Sequence, residues 1–251
     1  MRTPPPTVAM VFAGGLGLAA YHAGVFEALS RRGVPLQWVR GSSAGAVTAA
    51  LIAGNPPELR LDRLQAFWNS PPSERAGPSP SRHLFAWLGA IGTRLSGSVG
   101  HFHPRLPSPA TRFRSLYDLA PMKSRLERLI DFGRLNGGEM RVCIATTDLR
   151  SGEPVIFDSA HTRLEMDHLL ASCGFLPEFP AVEVAGRLLG DGGFSVNAPF
   201  DPVLQSDCRQ PLWLYVVDLY ARDGEPPQSL EAAAERKGDL IFGNQTFLRL
   251  K

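Results

Sequence analysis

The sequence contains few cysteines. There are three of them, Cys143, Cys173 and Cys208, and they lie far apart. An odd number at wide spacings is not typical of a disulfide framework, and it lacks the paired spacing of a zinc site. The simplest expectation is a protein of a reducing compartment, the cytoplasm, with no metal held by cysteine.

The sequence also lacks a long apolar run and a large excess of either charge. No segment approaches the ~18 consecutive apolar residues that span a bilayer, so no transmembrane segment is expected. Residues 8–20 are apolar but are interrupted by glycines and preceded by three prolines at 4–6, which disfavours a secretory signal. A formal net charge of +2, spread along the chain, predicts no nucleic-acid partner.

What the sequence does contain is a repeated pattern of strand, glycine turn and helix. Residues 8–12 predict a strand buried on both faces, and after a glycine cluster residues 20–32 have helical spacing. Residues 37–40 predict a second strand, which leads through a glycine-flanked turn into an apolar helix at 46–53. Two such units in succession predict an α/β fold with a mainly parallel sheet.

The rest of the chain predicts elements of both kinds and no domain boundary, so we expect one domain over residues 1–251. The Pro/Ser-rich residues 70–81 predict a loop. The following segment around Trp87 predicts a helix with one apolar face, which packs on the core or serves as a lid or lipid-contacting surface. Further predicted helices are 56–69, 121–132, 161–172 and the last twenty residues, and further predicted strands are 140–146, 154–157, 182–189 (a hairpin turning at Gly186) and 212–217.

The pentapeptide Gly41-Ser42-Ser43-Ala44-Gly45 matches the GxSxG pattern of a nucleophile turn. Such a turn joins a strand to a helix and exposes the serine hydroxyl, with glycines where the chains pass closely. Here apolar residues precede the pentapeptide and a helix of small residues follows, as that geometry requires. Ser43 is therefore the candidate nucleophile, supported by Gly41 and Gly45.

A histidine is the usual base for such a serine, and in α/β-hydrolases it follows the acidic member of the triad. No histidine follows Asp191 in this chain. A base at His161 or His168, in another topology, stays open, although both fall in a predicted amphipathic helix where we expect surface placement. The six histidines are His22, His83, His101, His103, His161 and His168.

The alternative base is a carboxylate that a tight turn holds near the serine. Asp191-Gly192-Gly193 supplies such a turn, and its two glycines carry no side chain that would crowd the serine. Leu188 and Leu189 precede it, and they would partly desolvate the carboxylate and raise its basicity. Asp-Gly turns are mostly structural, so Asp191 becomes a candidate base through its combination with Ser43.

The loop Gly14-Gly15-Leu16-Gly17 follows the first strand and enters a helix, where its backbone amides can stabilise an oxyanion. The overlapping residues 15–20 also fit GxGxxA, the dinucleotide-binding fingerprint, with Arg40 as the contact to an NADP phosphate. However, no acidic residue ends the second strand, and this interpretation leaves Ser43 and Asp191 without a role. Binding of NAD(P) is therefore the remoter alternative.

In this order and at this spacing, these elements resemble the patatin-like phospholipases, particularly their bacterial members. The resemblance covers most of residues 8–200 and implies a three-layer α/β/α fold. It implies hydrolysis of phospholipid or related esters by a Ser-Asp dyad: acylation of Ser43, Asp191 as general base, amides of residues 14–17 as the oxyanion hole, and no metal or organic cofactor. The matching residues are Phe12-Ala13-Gly14-Gly15, Ala20-Tyr21-His22-Ala23-Gly24-Val25, Gly41-Ser42-Ser43-Ala44-Gly45, Ala171-Ser172-Cys173, Phe179-Pro180 and Asp191-Gly192-Gly193.

The chain departs from the family in the glycine loop, which usually reads GGGxRG. Leu16 replaces the third glycine, Leu18 the arginine and Ala19 the last glycine. Backbone amides survive these changes, but a Cβ at position 16 can redirect one donor, and the positive charge is lost. The second hypothesis is therefore a catalytically weak or silent lipid-binding protein of the same fold, against which the presence of both Ser43 and Asp191 speaks.

The expected partner is a lipid or ester substrate, with peripheral contact to a membrane surface left open. The sequence indicates neither the headgroup nor the acyl chain nor the oligomeric state. Because Lys251 falls inside a predicted helix, we expect a C-terminal extension beyond it.

Overall fold

The structure, a computed structural model, describes residues 6–68, 101–105, 114–204 and 210–249. The predicted loop at 70–81 and the predicted helix at Trp87 lie outside these ranges, as does Cys208. Cys143 and Cys173 are buried and are not joined in a disulfide.

The described residues form a mixed α/β structure in which all the predicted strands are present. Strands are numbered in chain order as β1 (Thr7–Phe12), β2 (Trp38–Ser42), β3 (His103–Pro104), β4 (Tyr117–Asp118), β5 (Arg141–Asp148), β6 (Pro154–Asp158), β7 (Val182–Val184), β8 (Arg187–Asp191) and β9 (Leu212–Val217). The α-helices are α1 (Tyr21–Arg31), α2 (Ala44–Ala53), α3 (Arg60–Trp68), α4 (Ala120–Leu129), α5 (Phe132–Leu135), α6 (Met166–Ser172), α7 (Asp201–Leu204), α8 (Leu230–Gly238) and α9 (Asn244–Arg249). Short 3-10 helices are Leu16–Ala20, Pro57–Leu59 and Gly192–Phe194, and a π-helical turn is Asp239–Gly243.

The central sheet has seven strands in the order β7-β8-β5-β2-β1-β9, with β6 also paired to β5. The strands β9, β1, β2 and β5 are parallel to one another, while β6, β7 and β8 are antiparallel to their neighbours. The prediction of a mainly parallel sheet is confirmed. The small strands β3 and β4 form a separate antiparallel pair.

The register around β5 brings two distant segments together. Ser42, the last residue of β2, pairs with Ala145, and Asp191, the last residue of β8, pairs with the next residue, Thr146. Because β6 pairs along the other edge of β5, both β2 and β8 lie on the same edge. Their carboxyl ends therefore meet end to end beside β5.

The sheet is covered on both faces, which gives the expected three layers. On one face Phe12 and Ile144 pack into the larger core with helices α2, α3, α4 and α6. On the other face Ala9 and Val11 pack against Phe200 and Val203, around helix α7. The alternation of side chains along a strand places successive residues of β1 in different cores.

Two predicted helices differ from the observed ones. The prediction of a helix at 161–172 is wrong in its first half, because the helix begins only at Met166. Residues 121–132 do not form one helix: α4 ends at Leu129 and α5 begins at Phe132. The predicted hairpin turns at Ala185 and Gly186, which have φ values of 50° and 75°.

Candidate active site

Ser43 occupies a sharp turn between β2 and α2. Its φ of 54° and ψ of −127° are unusual for a residue with a side chain, and such a conformation costs about 1–3 kcal/mol. A Cβ at Gly41 would overlap the backbone of Gly45, and a Cβ at Gly45 would overlap the carbonyl of Phe12. The two glycines therefore allow α2 to start directly against β1 and β2, with the strained serine at its N-cap.

The backbone of Ser43 is held by Ser172, a buried residue at the end of α6. The Ser43 amide donates to Ser172 Oγ at 2.8 Å, and Ser172 Oγ donates to the Ala145 carbonyl at 2.6 Å. This relay ties the nucleophile turn to the middle of β5. Ser172 belongs to one of the segments that carry the family resemblance. However, no local pattern in the sequence predicts that its hydroxyl binds a backbone amide 129 positions away.

Asp191 ends β8 and caps the short 3-10 helix Gly192–Phe194. Its carboxylate accepts a hydrogen bond from the Gly193 amide at 2.7 Å, and its carbonyl accepts one from Thr147 Oγ1 at 2.8 Å. A Cβ at Gly192 would overlap Ser42 and Ala145, so this glycine allows the Asp191 turn to approach the Ser43 turn. The two candidate residues of the sequence thus lie together where β2 and β8 meet.

The Asp191 carboxyl is buried, with 2% of its surface exposed. Burial raises its pKa from 3.8 to about 7, while the nearby Ser43 hydroxyl and the Gly193 amide favour the ionised form and limit the rise. A carboxyl with a pKa near neutrality can accept a proton at neutral pH and release it again.

This raised pKa predicts a stability that depends on pH. The folded state binds more protons than the unfolded state between about pH 4 and about pH 7, so the stability from protonated Asp191 is complete below about pH 4 and is lost as the pH rises through about 7. The asparagine side chain of Asp191→Asn has no ionisable group. We expect the stability advantage of this variant over the unmodified chain to grow by about 2–3 kcal/mol between about pH 5 and about pH 8.

Urea unfolding at both pH values measures this difference. The control is Asp131→Asn, the same change at the N-cap of α5, where the side chain accepts from the Arg134 amide at 3.0 Å and asparagine caps equally well. An Asp191→Asn advantage that is the same at both pH values would contradict a raised pKa.

The glycine loop after β1 lies directly against Ser43. A Cβ at Gly14 would stand 2.6 Å from Asn197 Oδ1 and 3.1 Å from Ser43 Cβ. Asn197, which the sequence reasoning missed, binds this loop twice: its carbonyl accepts from the Gly14 amide at 3.1 Å, and its Nδ2 donates to the Gly14 carbonyl at 3.3 Å. The Gly14 amide is therefore already paired.

The next three backbone amides of the loop differ from the Gly14 amide, which donates to Asn197. Those of Gly15, Leu16 and Gly17 form no hydrogen bond with any residue that the structure describes. Leu16 has a φ of 48°, the left-handed region that favours glycine. The residue that replaces the family's third glycine therefore keeps a glycine-like backbone.

Two cavities meet at Ser43 and Leu16. The larger, of about 330 Å³, is mainly apolar and is bounded by side chains such as Val47, Phe67 and Met122. The smaller, of about 40 Å³, is lined by Asp191 and Asn197 and by three aromatic residues, Phe175, Tyr220 and Phe242.

The histidines of the described residues do not pair with Ser43 or Asp191. His161 is exposed in a turn before α6. His168 is buried rather than on the surface, and its Nδ1 accepts from the Glu165 amide at 2.9 Å in a capping box. His22 bonds Thr48 at 3.2 Å, and burial lowers its pKa to about 3. His83 lies outside the described residues.

Arg40 is not placed to contact a nucleotide phosphate. Its side chain is 1% exposed, near Trp38 and 3.9 Å from Asp158, within the protein rather than at the carboxyl edge of the sheet. The suggestion that Arg40 contacts an NADP phosphate is therefore wrong.

Neither a metal site nor a membrane-spanning helix is found among the described residues. Among them, no group of three or more His, Cys, Asp or Glu side chains is arranged to hold a metal ion. No helix in the described ranges is both long and apolar enough to cross a bilayer.

Comparison with known proteins matches this chain to one family. The family model described as "Patatin-like phospholipase" matches residues 10–204. The "Patatin-like phospholipase domain-containing protein ZK370.4" of Caenorhabditis elegans is 27% identical over 194 residues, which are 77% of this chain and 12% of that protein.

The chain is also similar to solved structures of proteins from two bacteria. VipD of Legionella pneumophila has a TM-score of 0.48 at 13% identity, over 92% of this chain and 53% of that one. ExoU, in its complex with SpcU from the type III secretion system of Pseudomonas aeruginosa, has a TM-score of 0.37 at 21% identity, over 97% of this chain and 52% of that one. The chain thus spans about half the length of these structures and a small part of the curated relative.

Proposed function

Because the chain belongs to the patatin-like phospholipase family, we propose that it is a serine hydrolase of lipid acyl esters that works through a Ser43–Asp191 dyad. The observation that carries the proposal is the meeting of β2 and β8, which places a strained serine beside a buried carboxyl whose pKa is about 7. We also propose that the whole chain acts as one hydrolase domain, since β9 pairs with β1 along its full length.

In the proposed reaction, ionised Asp191 accepts the Ser43 proton as Oγ attacks the ester carbonyl. The amides of Gly15, Leu16 and Gly17 are the proposed donors to the resulting oxyanion, because the Gly14 amide is paired with Asn197. Protonated Asp191 then gives its proton to the leaving alcohol, and the acyl group stays on Ser43 until water releases it. The group that removes the first proton thus supplies the second.

The larger cavity supports a lipid acyl chain as the part of the substrate that binds here. Ser43 is part of its lining, which is otherwise mainly apolar and includes Val47 and Met122, so a hydrocarbon chain bound there could keep its carbonyl at the serine. Burial of such a chain contributes about 0.8 kcal/mol for each methylene removed from water.

Exposed apolar side chains near the larger cavity support contact with a lipid surface. Leu16, Leu18 and Tyr21 are 54%, 55% and 65% exposed, on the loop and first helical turn beside the larger cavity. Clustered apolar side chains of this kind favour an interface over water.

We expect Ala20→Trp to shift the substrate preference toward short acyl chains. Ala20 is exposed and lines the larger cavity, so an indole there would fill space without displacing the core. The ratio of kcat/KM for p-nitrophenyl octanoate to that for p-nitrophenyl acetate should fall by about tenfold, the effect of losing burial for about two methylenes.

The control for this change is Ala28→Trp, at an exposed position of helix α1 that does not line the larger cavity. It should leave the ratio unchanged. An unchanged ratio in Ala20→Trp would mean that the acyl chain binds elsewhere.

The proposed activity is tested by fatty-acid release from phosphatidylcholine vesicles, with Ser43→Ala as the matched inactive chain. We expect release only from the unmodified protein. A silent lipid-binding protein is the second candidate, favoured by Leu16 in the loop of proposed oxyanion donors; it predicts vesicle binding by both chains and release by neither.

A further inference from the structure

The smaller cavity has a different character from the larger one. Its volume of about 40 Å³ is too small for an acyl chain, but it exceeds the roughly 10–15 Å³ that a single water requires. It offers the polar partners that a water needs, since Asp191, Asn197 and Tyr220 all border it. We call this space the water chamber.

Tyr220 lines the water chamber together with residues of the glycine loop. Its ring lies against the ring of Phe242, with the centroids 4.9 Å apart and the planes at 36°. The Phe242 ring in turn packs with the Phe175 ring, at a centroid distance of 6.3 Å. These aromatic rings fix Tyr220 in place. Its hydroxyl makes no hydrogen bond with the described residues, so it is available to a molecule in the chamber.

The Tyr220 hydroxyl is close enough to Asp191 to sense its charge. Burial and the negative charges of Asp191, Asp239 and Asp218 raise its pKa to about 12. The phenol therefore stays protonated at pH values at which Asp191 is ionised, and it does not compete with Asp191 for a proton.

Tyr220 and Phe242 come from a part of the chain that the family model does not match, since the match ends at residue 204. The same segment supports the catalytic turns. Gln245 in α9 accepts from the Asn197 amide at 3.0 Å and donates to the Gly193 carbonyl at 3.0 Å. The C-terminal segment thus braces both the glycine loop and the Asp191 turn.

We propose that the Tyr220 hydroxyl positions the water that releases the acyl group from Ser43, an inference that rests on the proposed function. The water lies in the water chamber between Tyr220 and Asp191. One of its protons is directed to the Asp191 carboxylate, and the Tyr220 oxygen accepts a hydrogen bond from the other.

Hydrolysis of the acyl-enzyme takes place in two stages. The water oxygen forms a bond to the acyl carbon while Asp191 takes the proton directed to it. The tetrahedral intermediate then breaks the bond between the acyl carbon and Ser43 Oγ, and Asp191 returns its proton to Ser43. The products are a carboxylic acid and free Ser43, and Tyr220 keeps its proton throughout.

Tyr220→Phe tests this role because it removes one oxygen and keeps the ring against Phe242. The control is Tyr215→Phe in β9, which packs with the larger core and lines neither cavity at Ser43. Stopped-flow hydrolysis of p-nitrophenyl octanoate separates acylation, seen as the burst, from deacylation, seen as steady turnover.

We expect Tyr220→Phe to deacylate about tenfold more slowly, the usual effect of one lost hydrogen bond, with acylation within about twofold of the unmodified rate. Intact mass should then show octanoyl on Ser43 at steady state. Tyr215→Phe should change neither phase.

Two results would overturn this role for Tyr220 without touching the dyad: unchanged deacylation in Tyr220→Phe, or an equal slowing of acylation and deacylation. If instead the unmodified chain forms no acyl-Ser43 at all, the proposed function itself fails, and the inference fails with it.

Discussion

The Asp191→Asn variant is expected to hydrolyse p-nitrophenyl butyrate about 10²–10⁴ times more slowly than the unmodified chain, the usual contribution of general base catalysis. Asparagine keeps the size of the side chain and an oxygen for the Gly193 amide, which donates at 2.7 Å. It cannot accept the Ser43 proton. The loss should therefore appear in turnover while the fold is retained.

The dependence of kcat/KM on pH gives this prediction its second readout. For the unmodified chain we expect kcat/KM to rise with pH through about 7, because only ionised Asp191 takes the proton and its pKa is about 7. The residual activity of Asp191→Asn should not show that rise. Asp131→Asn, at an exposed helix N-cap, serves as control and should keep full activity and the same profile.

Retention of turnover within tenfold in Asp191→Asn would show that another group acts as base. His161→Ala and His168→Ala would then be the next variants. His161 is exposed and His168 is engaged in a helix cap, so we expect neither to carry proton transfer.

Gly45→Ala is expected to destabilise the protein by more than about 4 kcal/mol, enough to prevent folding in many domains. The added Cβ would overlap the carbonyl of Phe12, and the Ala13 carbonyl lies close by, so β1 would have to move away from α2. Backbone atoms in the centre of the sheet cannot move aside as a flexible side chain can. Urea unfolding, or the soluble yield where no folded protein forms, measures this effect.

The control for Gly45→Ala is Gly24→Ala. Gly24 lies in the middle of α1, and a Cβ there would have no atom of the described residues within 4 Å. Alanine favours the helix, so this change should stabilise the protein by about 0.5–1 kcal/mol. Comparable stability of Gly45→Ala and the unmodified chain would mean that α2 does not cross β1 as closely as described.

Local signals in the sequence predicted the parts of the fold that depend on local chemistry. The apolar runs of β1 and β9 and the glycine-flanked turn at Ser43 each depend on neighbouring residues, and the structure has them within one or two positions. The Ala185–Gly186 turn is of the same kind.

The helix predicted at 161–172 shows why periodicity alone was insufficient. Before Met166 the backbone is used by other partners: the His161 and Thr162 amides donate to the Asp158 carbonyl, and the Leu164 amide donates to Asn136 Oδ1. These bonds hold residues 161–164 in a non-helical conformation. The capping box at Glu165 and His168 then starts the helix.

The proximity of Ser43 to Asp191 depends on the register of β5, and no pattern near either residue specifies that register. The sequence suggests that Asp191 acts on Ser43 only because no histidine follows Asp191 and because both residues match the family resemblance. The supporting roles of Ser172 and Asn197 could not be predicted, because each acts on the backbone of a segment far away in the chain. Tyr220, which lines the water chamber, lies beyond the region that the family model matches.

The most direct test of the dyad is labelling with a fluorophosphonate probe, followed by peptide mass mapping, of the unmodified chain, Ser43→Ala and Asp191→Asn. The account predicts one modified peptide containing the probe on Ser43, absent from Ser43→Ala and strongly reduced in Asp191→Asn. Circular dichroism of each sample establishes that the compared chains are folded. A folded, unmodified chain that takes up no probe, or takes it up equally after Ser43→Ala, would contradict Ser43 as an activated nucleophile.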